Sequence, residues 1–82
     1  MAASRQTIMD WFNGSYIENA THMIVVCDEY DWDDYPVYVS AEQDVREVEA
    51  EYRAKPMQRV MEVYKLSMSL DEQMAQHRAF NY

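Results

Sequence analysis

The sequence predicts a single small α+β domain, residues 1–82, in which a three-stranded, mostly antiparallel sheet of spatial order 2-1-3 is packed with helices. Three observations carry that expectation. The chain is 49% hydrophobic over 82 residues, with one glycine and two prolines. That is enough for one modest core, since a fold of this length buries only about 60% of its unfolded surface, and it excludes wholesale disorder and low-complexity repeats. The run Thr21-His22-Met23-Ile24-Val25-Val26-Cys27 lacks the alternation of a strand with one wet face, so it reads as a strand covered on both sides. Two capping-box signatures, Ser40-x-x-Gln43 and Ser69-x-x-Glu72, each precede a helical pattern.

Along the chain, Ile8, Trp11 and Phe12 form an i, i+3, i+4 stripe on a short helix that begins at Ser4 and is stopped by Gly14. Residues 15–21 connect it to the apolar strand. Asp28 to Asp34 then holds five carboxylates in seven residues, too charged to be buried and too repulsive to be regular, and reads as a loop or hairpin tip. Tyr35 to Val39 returns as a second strand, which Pro36 places at an edge or a strand start because it cannot donate a ladder hydrogen bond. Ser40 opens a helix whose inner stripe is Ala41, Val45, Val48 and Tyr52, with Glu42, Glu47, Glu49 and Glu51 toward solvent, ending near Ala54 before Lys55-Pro56.

Residues 57–66 satisfy two patterns. Met57, Val60, Met61 and Tyr64 match a helical stripe, but the valines, the tyrosine, the short length and a new helix start at Ser69 favour a strand. A last helix follows from about Leu70 to Phe80 with Leu70, Met74 and His77 inward. The order is α-β-β-α-β-α. A hairpin joins strands one and two, and a right-handed crossover brings strand three beside strand one, antiparallel to it.

Fifteen acidic residues against seven basic ones give a formal charge of -8. This disfavours direct binding to nucleic acid or to an anionic membrane, both of which attract cations. No segment has the roughly 18 apolar residues of a bilayer span. The single cysteine, Cys27, rules out an internal disulfide and fits a reducing compartment, and residues 1–12 lack a signal-like apolar core, so a cytoplasmic location is expected. One Cys and two scattered His give no zinc spacing. The lone Gly14 gives no phosphate-cradling loop, and Asp31-x-Asp33 lacks the glycine that a calcium loop needs. Positions 22 and 27 differ by an odd number, which puts His22 and Cys27 on opposite faces of an unbulged strand and leaves no local dyad. No catalytic residue, metal or cofactor is expected.

Two binding surfaces remain. Asp28, Glu29, Tyr30, Asp31, Trp32, Asp33, Asp34 and Tyr35 combine carboxylates with aromatic anchors, the composition of a contact surface for a protein partner with a basic face. Alternatively, Arg46, Arg53, Arg59 and Arg78 with Tyr64 and Tyr82 supply cations and stacking rings for a small nucleotide, at the interface of a homo-oligomer.

The segments DWFNGSYIENATHMIVVCDEYDWDDYPVYV, MQRVMEVYKLS and HRAFNY resemble short reading frames of tailed bacteriophages over nearly the whole chain. No residue role is carried over from that resemblance. It implies a context: a non-enzymatic viral accessory protein in the cytoplasm of an infected bacterial host, binding and blocking a host protein in takeover or counter-defence. The alternative in the same context is an oligomeric sponge that sequesters a nucleotide immune signal.

Overall fold

A central strand with no wet face organises the molecule. The structure is a computed structural model that describes residues 4–14, 19–76 and 78–82. Its elements are α1 (Arg5–Gly14), β1 (Ala20–Asp28), β2 (Asp33–Ser40), α2 (Val45–Ala54), β3 (Gln58–Lys65) and α3 (Leu70–Met74), and the sheet order is β2-β1-β3 with both pairings antiparallel. Met23 to Cys27 are all buried, as expected for a strand paired on both edges and covered on both faces. Of residues 57–66, 58–65 form a strand, with Met57 and Leu66 in the flanking turns.

Side-chain parity along β1 divides the core in two. Ile24 and Val26 face α2 and meet Val39, Val45, Val60 and Val63, with Val48 and Tyr52 of α2 packed on top. Met23 and Val25 face the other way, toward Ile8, Tyr64 and Ala79, with Trp11 and Phe12 of α1 and Leu70 and Met74 of α3 closing the layer. Ser4 caps α1, its Oγ accepting the Thr7 N–H at 3.1 Å, and the Tyr38 hydroxyl donates to the Trp11 carbonyl at 2.8 Å, tying α1 to β2.

Three expectations about the helices need correction. Helix α2 starts at Val45, not Ser40: Asp44 is its N-cap, with Oδ1 accepting the Arg46 N–H at 2.9 Å. Gln43 does reach back to the Ser40 N–H at 3.0 Å, as a capping box requires, but the intervening residues form a turn and Ala41 is exposed. Glu49, assigned to the wet face, is buried and accepts hydrogen bonds from Tyr82 and Arg53. Helix α3 stops at Met74, well short of Phe80. Of its expected inner stripe, Leu70 and Met74 pack on the core, whereas His77 lies outside the described residues.

Gln73 explains the early stop. It is fully buried, and its amide bonds both backbone groups of Lys65, receiving the N–H at 2.7 Å and donating to the carbonyl at 2.9 Å, while Asn81 Nδ2 donates to its Oε1 at 3.0 Å. A buried amide so placed anchors the end of β3, the following turn and the C-terminal segment together. That segment then runs parallel to β3. The Val63 N–H donates to the Ala79 carbonyl at 2.8 Å and the Asn81 N–H to the Val63 carbonyl at 3.0 Å.

Candidate functional site

Two tight turns meet at one end of the sheet. The β1–β2 hairpin closes between Asp28 and Asp33 with residues 29–32 as its loop, where Asp28 Oδ1 accepts the Tyr30 N–H at 2.9 Å. Between α2 and β3, Lys55-Pro56-Met57-Gln58 has the 55-to-58 hydrogen bond at 3.4 Å, proline second and a positive φ third, which is type II turn geometry. The Glu29 N–H donates to the Met57 carbonyl at 2.7 Å, which joins the two turns into one surface.

This end collects the large exposed apolar side chains. Among the described residues they are Tyr30 at 78%, Trp32 at 58% and Met57 at 50% exposure. Trp32 and Met57 also occupy left-handed backbone, with φ of 58° and 64°. An L-residue there costs roughly 1–2 kcal/mol, and glycine or asparagine is the inexpensive choice. Left-handed backbone favours neither a tryptophan nor a methionine, and each leaves half or more of its surface in solvent at these positions. Asp31 and Asp33 are exposed beside them, and Glu29 and Asp28 are half-buried.

The expected acidic-aromatic surface is thus narrower in space than in sequence. Asp28 and Asp33 are paired residues of the two strands, so the acidic stretch is more regular than its charge suggested. Asp34 is half-buried beside Cys27, whose thiol is pushed up by burial first and then by the Asp34 carboxylate it hydrogen-bonds. Tyr35 turns into the opposite face, donates its hydroxyl to the Gln58 side-chain oxygen and meets Tyr52 edge-on at 6.4 Å. Met57 was missed. Its signal was present: proline at the second position of a turn calls for glycine at the third, and a methionine stands there instead.

The arginine set divides as well. Arg53, Arg59 and Arg78 line one cleft of about 340 Å³ with Phe80, Gln58 and Glu29. Arg46 stacks over Tyr82 at 4.2 Å, and the Tyr82 hydroxyl donates to Glu49 at 2.5 Å. Tyr64 is buried in the core on the far face of the sheet and does not join them; burial there pushes its hydroxyl well above the ordinary tyrosine range, with Glu62 adding to the shift.

A larger cleft, about 820 Å³, lies at the other end of the sheet among Phe12, Thr21, His22, Asp44 and Lys65. His22 Nδ1 is 2.9 Å from Thr21 Oγ1, whose proton goes to the Val39 carbonyl at 3.2 Å; this sets Nδ1 as the protonated nitrogen and leaves Nε2 buried without a partner. Burial first, then the Lys65 charge, holds its pKa below 6.5, against a smaller opposite influence of the Tyr82 backbone. Both registers pass through residues 22–27 with no extra residue in β1, so His22 and Cys27 do point to opposite faces. Among the described residues no three His, Cys, Asp or Glu side chains are grouped to hold a metal, and no helix is long and apolar enough to cross a membrane.

Compared with known protein families, with curated proteins and with solved structures, the chain finds no match in any of the three.

Proposed function

We propose that this chain is a non-enzymatic binding protein that docks on a partner protein through the turn surface formed by Glu29–Asp33 and Met57. The observation that carries the reading is the placement of Trp32 and Met57: both bear left-handed backbone strain and both leave half or more of a large apolar residue in solvent. Strain held at an exposed position is a mark of function, because selection for stability alone would remove it. Tyr, Trp and Met are interface anchors, and the carboxylates around them select a partner whose apolar recess is rimmed by lysine and arginine. The resemblance to phage reading frames supports a bacterial host protein as that partner and blockade of its working surface as the outcome. The alternative, a nucleotide sponge, draws on a different part of the surface, the arginine cleft.

The test is a pair of glycine substitutions. Trp32→Gly and Met57→Gly should each change the stability of the isolated protein by no more than about 1 kcal/mol in chemical denaturation, since relief of the positive φ offsets loss of the covered half of the side chain. The same variants should lose capture of the host partner, and capture by the unaltered chain should weaken as salt rises. Retention of the partner by both variants would remove the proposal. So would multiple turnovers of any substrate by the purified protein.

A further inference from the structure

We propose that the cleft between α2, β3 and the C-terminal segment binds a small phosphate ester of mononucleotide size, at a site that shares only Glu29 with the docking surface. Three of the chain's five arginines converge there although the formal charge is -8. Such a chain has carboxylates in excess for every guanidinium. Yet among the described residues only Arg5 and Arg53 form ion pairs, with Asp71 and Glu49 respectively. Arg59 and Arg78 have none, and Glu29 lines the cleft without coming within 4.0 Å of any of the three.

Two of the guanidinium groups are held in place from below. Arg78 donates to the carbonyls of Met61 at 3.0 Å and Val60 at 3.5 Å and lies 5.3 Å from the Phe80 ring centre; Arg53 lies 5.8 Å from the same ring and is tethered to Glu49 at 3.3 Å. The carbonyls that Arg78 grips belong to a bulge in β3, where Val25 pairs with Glu62 and Val26 with Val60, so Met61 is the extra residue. A bulge at a sheet margin re-aims the groups around it. Arg59 is exposed beside this fixed pair and completes a three-guanidinium rim.

Guanidinium forks match phosphate oxygens two at a time, and preset forks lose less freedom on binding. The organic part of the ester has partners too. The Gln58 side-chain oxygen is taken by Tyr35, which leaves its NH₂ to donate, and the Glu29 carboxylate is an acceptor for a hydroxyl or amino group. A volume of about 340 Å³ limits the ligand to roughly the smallest bound cofactors. The acidic surroundings exclude a polymer of phosphates, whose extended charge would be repelled beyond the cleft.

The probes are 5′-AMP, pyrophosphate and sulfate, titrated calorimetrically against the full chain. The unaltered protein should bind 5′-AMP at least tenfold more tightly than sulfate. Arg59→Glu, an exposed change that leaves the bulge intact, should weaken 5′-AMP at least tenfold, whereas Arg5→Ala and Trp32→Gly should leave it unchanged. Absence of 5′-AMP and pyrophosphate binding at millimolar concentration, or binding undiminished by Arg59→Glu, would overturn the site. Binding of sulfate as tight as that of 5′-AMP would overturn the ligand class. Because Trp32→Gly should spare this site, failure of the docking surface and failure of the cleft are read separately.

Discussion

His22 is the residue whose protonation the fold opposes. Its imidazole is held below 6.5 by burial and by Lys65, so the unfolded chain takes up a proton at a pH where the folded chain does not. Stability conferred by the neutral form is complete above about pH 6.5 and is lost as pH falls toward the lowered folded value. His22→Gln should therefore flatten part of the acid-side decline: the difference in urea midpoint between variant and parent should grow in the variant's favour between pH 7 and pH 5. An unchanged difference across that interval would show that His22 titrates alike in both states. Gln73 has the opposite character at the same scale, a neutral group so fully bonded that no pH change reaches it.

Among the elements, α2 shows how local signals compete. Ser40-x-x-Gln43 and Asp44 both qualify as helix starts, and the second prevails because Ser40 is the last residue of β2, paired with Ala20. A residue committed to a strand ladder ends as turn donor, while Asp44, with extended backbone (ψ 117°), is free to cap. Asp44→Ala should cost about 1 kcal/mol in thermal or chemical denaturation, and Gln43→Ala distinctly less. Equal losses would place the functional cap at Ser40. The buried Glu49 was illegible for a related reason. Its position on the helix falls near the apolar stripe, and only the arrival of Tyr82 from the C-terminal segment, added to Arg53 one turn along the same helix, supplies the partners that make a carboxylate tolerable there.

At the scale of the whole molecule, the sequence was legible wherever a pattern had one physical reading. The apolar run of β1 demanded cover on both faces, Pro36 demanded a margin, and the crossover rule then left the order 2-1-3, which is the order found. It was illegible where the outcome depends on chain segments far apart. Tyr64 and Arg53 are 11 residues apart yet lie on opposite sides of the sheet, and the end of α3 is set by Lys65 and Asn81 gripping Gln73. The C-terminal segment bears on how copies of the chain meet. By seating Ala79 to Asn81 along β3 it takes up both backbone groups of Val63, while across the sheet Pro36 leaves β2 one N–H short. Both templates on which amyloid could grow are thereby spoiled. Asn81→Pro, which deletes the N–H given to Val63, should unseat the segment and produce thioflavin-positive fibrils faster than the parent chain does; no increase over the parent would mean that Pro36 alone guards against polymerisation.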